Sequence, residues 1–108
     1  FEAWWGEVTR RGLQNRAAIL AGIRPLTSAD EARALVAARP RTLIPEALIQ
    51  RLEAKGGAEA QRTEGVAVAV ETIRRLAQLP GLRGFEVCGD GHPEASLEVI
   101  EKSAVEIN

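Results

Sequence analysis

The chain has 108 residues, of which 45% are hydrophobic and 27% are charged, and its formal net charge is −1. These values are ordinary for a globular domain and exclude a disordered or fibrous chain, and the near-neutral balance carries no electrostatic footprint for nucleic acid. No run approaches 18 consecutive apolar residues, so we expect no membrane-spanning segment.

The start of the chain and its single cysteine bear on where the protein resides. The first residues, Phe1 to Trp5, lack the basic start and long apolar core of a signal peptide. One cysteine, Cys88, excludes an internal disulfide and fits a reducing compartment, so we expect a cytoplasmic protein. The sequence contains no methionine, even at its start, which indicates processing or a longer parent polypeptide.

The first predicted elements are a helix and a strand. Apolar residues recur at helical spacing and predict an amphipathic helix over 2–13: Trp4, Trp5, Val8 and Leu13. Two adjacent tryptophans cannot both lie on one narrow apolar face of a helix. We therefore expect one to pack on the sheet and the other to cover an interface. Residues 17–22 are apolar throughout and predict a parallel strand that is buried on both faces.

A capping box marks the start of the next helix. Ser28 supplies a hydroxyl at the N-cap and Glu31 supplies a carboxylate three residues later. Arg39-Pro40 ends this helix, because the residue before a proline avoids the α region. Residues 42–44 are then expected to be extended, and Pro45 begins another helix over 45–54.

The remaining sequence predicts a long helix, a strand and a final helix. The long helix covers about 59–78, and Gly65 inside it costs about 1 kcal/mol relative to alanine, which indicates a close packing contact. Residues 84–88 form the second predicted strand, 89–92 a polar loop, and Pro93 starts the last helix. We therefore expect an α/β fold with two parallel strands and about five helices. Residues 1–108 would form a single partial domain.

The order of these segments resembles a known enzyme family. Ile19 to Ser28 resembles the Leu-x-Gly-Ile-x-Pro-Leu/Val-x-Ser segment of methylenetetrahydrofolate reductases. The family continues with an Ile-Pro pair before a helix, matched here by Ile44-Pro45, and a Glu-Gly pair before an apolar stretch, matched by Glu64-Gly65. Its final strand is similar to 84–87. The resemblance covers nearly the whole chain in the family's order.

The resemblance implies a fold, a cofactor and a reaction. The family fold is a TIM (β/α)8 barrel that binds FAD and reduces methylenetetrahydrofolate to methyltetrahydrofolate. A complete barrel takes about 250 residues, so this chain would be its C-terminal βα units, with strands 7 and 8. The implied partners are the folate substrate and the remainder of the barrel. The acidic residue that acts on the folate lies upstream in the family, so the fragment alone is expected to be inactive.

Two loops of the chain map onto the active-site end of the family barrel, where parallel folds place their ligands. On this mapping the cofactor-binding candidates are Arg24, Pro25, Leu26 and Thr27 in the first loop, and Gly89, Asp90 and His92 in the second. Relatives carry tyrosine and arginine where this chain has Cys88 and His92. The resemblance therefore implies the location of the site rather than its chemistry, and we predict no catalytic residue and no metal site.

Each candidate in these loops also has a structural explanation. His92, oriented by Asp90, would contact an anionic cofactor or transfer a proton, or it is simply an exposed loop histidine. Residues 89–91 would cradle a phosphate, or they form a tight turn that needs positive φ. Arg24 would bind a folate carboxylate or a flavin phosphate, or it is a solvated arginine. Cys88 is better explained as a small core residue than as a nucleophile or metal ligand.

A second function is compatible with the same sequence. The chain would then be a non-catalytic α/β interaction or scaffold module that associates with a partner or with itself as a homo-oligomer. A third interpretation is another folate- or flavin-handling barrel in which this segment is mainly scaffold.

Overall fold

A computed structural model describes residues 1–39, 41–89 and 91–107, with side chains described as far as residue 104. The chain order is α1 (Glu2–Arg10), a 3-10 turn (Leu13–Asn15), β1 (Leu20–Ile23), α2 (Ala29–Ala38), α3 (Glu46–Glu53), α4 (Ala58–Leu76), β2 (Gly84–Val87) and α5 (Pro93–Ile107). The predicted mixed α/β class, with five α-helices and two strands among these residues, is confirmed.

The two strands form one parallel sheet. Ala21 lies opposite Phe85, and Ile23 lies opposite Val87. The ladder extends beyond both strand ends, since the Arg83 N–H donates to the Ile19 carbonyl at 3.0 Å and the Cys88 N–H donates to the Ile23 carbonyl at 2.7 Å. Three helices separate the paired strands in the chain, as a parallel connection requires.

One face of this sheet is covered and the other is open. Ala21 and Ile23 pack with buried side chains of α4 and α5, such as Val66 and Val99. The alternate strand positions are exposed, and the side chain of Leu20 is 54% exposed. The expectation that β1 is buried on both faces is therefore wrong, because the helices in the described part of the chain cover only one side.

A second, smaller cluster joins α2 to α3. Its buried members are Ala29, Ala32, Ile49 and Leu52, and the partly buried Leu26 and Ile44 pack against it. On the surface, Arg33 of α2 forms ion pairs with Glu46 and Glu53 of α3. The loop after β1 is thus anchored to the α2–α3 pair through Leu26.

Several predicted boundaries shift. The first helix ends at Arg10, and β1 begins at Leu20 rather than 17, because the Ala17 N–H still bonds to the Leu13 carbonyl at 3.3 Å. Helices α2, α3 and α4 start and end within two residues of the predicted positions, and α5 starts at Pro93 as predicted. Helix α2 ends at Ala38 and Arg39 is extended, as predicted, whereas Pro40 lies outside the described residues.

Gly65 permits an unusually close approach between α4 and the loop after β1. An ideal Cβ at this position would lie 2.8 Å from the carbonyl carbon of Leu26, and closer still to its oxygen. Contacts this short force a displacement of one of the two segments, so only glycine fits the observed packing. The close packing contact predicted at Gly65 is confirmed.

The two tryptophans differ in exposure. Trp5 is 3% exposed, and its indole N–H donates to the Pro80 carbonyl at 3.1 Å, so it packs against the turn before β2. Trp4 is 54% exposed and lies beside Phe1, with ring centroids 5.4 Å apart. One tryptophan is therefore buried and the other is exposed, and the interface that we expect the exposed one to cover stays a prediction.

The chain exposes more surface than its mass predicts. Its accessible surface is 7051 Å², whereas a folded monomer of this mass exposes about 5,800 Å². The difference is about 1,200 Å², and it agrees with the flat shape, whose extents are 44 × 33 × 21 Å. In the part of the chain that the structure describes, no helix has the length and apolar character needed to cross a bilayer.

Candidate functional site

The candidate site lies where β1 and β2 end. Because the strands are parallel, the loop that leads from β1 into α2 and the loop that leads from β2 into α5 lie at the same edge of the sheet. Thr27 of the first loop and Glu31 in the first turn of α2 meet His92 of the second loop. We call these three residues the Thr27–Glu31–His92 cluster.

The cluster is held by four short polar contacts. The Glu31 Oε2 lies 2.5 Å from the Nε2 of His92, although the two residues are 61 positions apart in the chain. The Thr27 Oγ1 lies 3.3 Å from the same ring nitrogen. The other Glu31 oxygen, Oε1, accepts hydrogen bonds from the Thr27 N–H at 3.0 Å and the Thr27 hydroxyl at 3.3 Å. One carboxylate thus joins the two loops.

The capping of α2 places this carboxylate. Ser28 Oγ accepts a hydrogen bond from the Glu31 N–H at 3.0 Å, which confirms Ser28 as the N-cap. A capping box would return the Glu31 carboxylate to the N–H of Ser28. The carboxylate instead accepts from the N–H of Thr27, one residue earlier. The cap therefore turns the Glu31 side chain toward the loop, where it reaches His92.

These contacts keep Glu31 ionised. Partial burial alone would raise the pKa of Glu31, but the hydrogen bonds from the Thr27 N–H and from His92 outweigh it. The pKa of this carboxyl therefore lies below its ordinary value. The His92 side chain is 42% exposed, and its Nε2 is held by the Glu31 carboxylate.

Glu31 is the member of the cluster that the sequence did not identify. We predicted Asp90 as the residue that orients His92, and Asp90 lies outside the described residues. The available signal was the position of Glu31 in the first turn of the helix that follows β1. Residues there lie at the same sheet edge as the loop after β2, provided that the strands are parallel.

The other first-loop candidates have different environments. Arg24 is exposed and forms no hydrogen bond or ion pair with any other described residue. Pro25 is buried, and Leu26 is half-buried against the α2–α3 cluster. Arg24 and Leu26 also line a cleft of about 220 Å³ whose other wall is formed by apolar side chains of α3 and α4. Of these three residues, only Arg24 presents a polar side chain to a ligand.

The second loop is held to α5 through Ser96. The Ser96 hydroxyl lies 3.0 Å from the Cys88 carbonyl and 3.3 Å from the His92 carbonyl. Gly91 has φ 76°, so the tight-turn explanation holds at this residue. Gly89 is exposed and its φ is not positive.

Cys88 is half-buried and takes no part in the cluster. Within the described residues, the side-chain bonds of His92 go to Glu31 and Thr27, and none joins it to the thiol of Cys88. In the same residues, no three His, Cys, Asp or Glu side chains are grouped so that they could hold a metal ion.

Comparison with known proteins finds no match to the chain among protein-family models, curated proteins or solved structures.

Proposed function

We propose that the chain forms the C-terminal βα units of an FAD-dependent methylenetetrahydrofolate reductase and supplies strands 7 and 8 of its (β/α)8 barrel. The ordered resemblance from Ile19 to Val87 suggests the family. The observation that carries the proposal is the half-covered parallel sheet, with α4 and α5 on one face and Leu20, Gly22 and Glu86 exposed on the other. Adjacent strands of a TIM barrel have this arrangement, with helices outside and the barrel interior inside.

The exposed area supports the same proposal. The excess of about 1,200 Å² over a typical monomer exceeds the roughly 800 Å² that one partner buries in a standard interface. The open face and the two free strand edges are suited to contact with the other barrel strands. An uncovered parallel sheet is rare, because parallel sheets are almost always buried on both faces.

Arg24 fits a role in flavin or folate binding. Its guanidinium is exposed at the carboxyl end of β1 and has no partner among the described residues, so it is free to bind a phosphate or a carboxylate. Thr27 and His92 are already bonded to Glu31, so their contribution is to fix the shape of the loop. Gly89 offers only its exposed backbone. When bound, FAD supplies the hydride-transfer chemistry.

The proposal is tested on the complete polypeptide that carries these residues. We expect the purified protein to retain flavin and to oxidise methyltetrahydrofolate with an artificial electron acceptor. Arg24→Gln is expected to lower flavin retention or raise the KM for the folate, whereas Arg83→Gln, an exposed arginine at the opposite end of the sheet, leaves both unchanged. A complete polypeptide with neither flavin nor this activity would refute the proposal. The single cysteine is consistent with a cytoplasmic location for such an enzyme.

A non-catalytic interaction module is the second candidate, favoured by the exposed apolar side chain of Leu20 on the open face. Light scattering on the 108-residue chain tests the open face that both candidates require, and we expect self-association that is abolished by Leu20→Glu but not by Leu43→Glu. Flavin retention by the complete polypeptide separates the two candidates, since self-association without flavin would favour the module. Leu43 is the matched control, because it is 93% exposed and lies in the link between α2 and α3, away from the sheet. A stable monomer would argue against both readings of the open face.

A further inference from the structure

A second cleft beside Arg24 combines positive charge with apolar walls. Its volume is about 210 Å³, and it lies between the loop after β1, the C-terminal end of α2 and the segment that leads into α3. The lining residues are Arg24, Leu26, Leu35, Arg39, Thr42 and Ile44. We call this space the arginine cleft. The other cleft lined by Arg24 extends toward α3 and α4 instead.

The two arginines of this cleft differ from those on the helices. Arg33, Arg51 and Arg62 each form ion pairs with glutamates. Arg24 and Arg39 have no ion pair or side-chain hydrogen bond with any residue of the described segments, and the described residues of the cleft lining include no carboxylate. Arg24 and Arg39 both line this cleft, so an anion bound there would have two cationic side chains as partners.

The rest of the lining indicates the kind of anion. Leu26, Leu35 and Ile44 are half-buried and supply an apolar wall, and the Thr42 hydroxyl adds one polar group. The turn that carries Arg39 and Thr42 is closed by a hydrogen bond from the Thr42 N–H to the Arg39 carbonyl at 2.8 Å. The cleft volume of about 210 Å³ is below the usual range of ligand pockets, about 300–1,000 Å³, and suits a small ligand.

We infer that the arginine cleft binds a small organic anion, with its carboxylate or phosphate head on Arg24 and Arg39 and a short apolar body against Leu35 and Ile44. Arginine binds both heads through two parallel hydrogen bonds. The apolar wall makes the body part of the recognition, so a bare inorganic anion binds less well. The inference does not depend on the reductase proposal, because binding is measured without flavin or folate.

The test is a titration of the purified protein with 4-methylpentanoate, followed through the methyl resonances of Leu35 and Ile44. Two matched probes separate head from body: 4-methylpentan-1-ol has the body without the charge, and inorganic phosphate has charge without the body. We expect saturable shifts with 4-methylpentanoate, much weaker binding of the other two, and binding that falls as salt is added. Isobutyl phosphate, run in parallel, reports whether the site prefers a carboxylate or a phosphate head.

Substitutions locate the site. Arg24→Gln and Arg39→Gln are each expected to raise the Kd for 4-methylpentanoate about tenfold, since hydrogen bonds between charged groups are the strong ones. Arg83→Gln removes the same charge at the other end of the sheet and is expected to leave the Kd unchanged. All three side chains are exposed, so the fold is retained. The inference would be overturned if neither 4-methylpentanoate nor isobutyl phosphate binds. It would also be overturned if the alcohol or inorganic phosphate binds as tightly as 4-methylpentanoate, or if the Arg24 and Arg39 variants keep the parent Kd.

Discussion

Replacement of Gly65 by alanine tests the contact that holds the loop after β1 against α4. The new Cβ would lie 2.8 Å from the Leu26 carbonyl carbon, and ordinary contact begins at 3.4 Å, so this contact alone requires a movement of 0.6 Å. The Leu26 carbonyl oxygen lies closer still and requires a larger movement. Both partners are backbone, so no side chain can rotate away to relieve the clash.

The magnitude follows from two opposing effects. Alanine favours the helix by about 1 kcal/mol over glycine. Overpacking costs about 1–3 kcal/mol and sometimes more, and a clash with a rigid carbonyl belongs at the upper end. Movement of α4 would also disturb the buried contacts of Val66 and Ile73. We therefore expect Gly65→Ala to lower the free energy of unfolding by about 2 kcal/mol.

The assay is urea unfolding, followed by the fluorescence of the buried Trp5 and by circular dichroism. Gly6→Ala is the matched control, because Gly6 is also helical and an added Cβ there meets nothing within 4 Å. The free energy of unfolding of this control variant is expected to rise by up to about 1 kcal/mol. If Gly65→Ala is as stable as the parent or more stable, the close approach to Leu26 is not a feature of the folded protein and the reasoning fails.

Three further predictions concern the cap, the cluster and the tryptophans. Ser28→Ala is expected to lower the free energy of unfolding by about 1 kcal/mol. Ser28→Asp is the control and is expected to retain the parent stability, because aspartate also caps helices well. An equal loss of stability in both variants would contradict the capping role. Glu31→Gln is expected to be less stable than the parent at neutral pH. Because the folded-state pKa of Glu31 is lowered, its contribution is present above the unfolded pKa of about 4.3 and is lost as the pH falls through the folded value. The stability difference should therefore shrink below about pH 4, and a constant difference would refute the electrostatic explanation. Trp5→Phe removes the hydrogen bond to the Pro80 carbonyl and is expected to lower the free energy of unfolding by about 1–2 kcal/mol in thermal or urea unfolding. Trp4→Phe changes an exposed ring and is expected to stay within about 0.5 kcal/mol of the parent. Similar losses in the two variants would argue against the different environments of the two rings.

Local signals in the sequence predicted the helix starts well. Ser28 caps α2, Pro45 precedes α3, and Gly65 marks a close contact, because each depends on backbone geometry within a few residues. The start of β1 was harder to predict from the sequence. Residues 17–19 are as apolar as the strand, but the backbone bond from Ala17 to Leu13 belongs to the preceding turn. Apolar character alone does not separate a strand from the chain that approaches it.

The candidate site depended on information that single segments do not contain. The sequence offered Asp90 as a partner for His92 because the two are neighbours in the chain. The contact with Glu31 arises from the parallel register of β1 and β2, which brings residues 61 positions apart within 2.5 Å. The expectation that β1 is buried on both faces was wrong because it followed the ordinary behaviour of parallel strands, whereas the described helices cover only one face.

The long separation between β1 and β2 also sets the order in which the chain can fold. More than 60 residues lie between the paired positions Leu20 and Gly84, so the ladder forms only after a large loop has closed, and such pairing is slow. Local helices form much faster. During synthesis the edge of β1 that pairs with β2 therefore stays unpaired until β2 is available, and in that interval this edge is most exposed to pairing with the wrong strand.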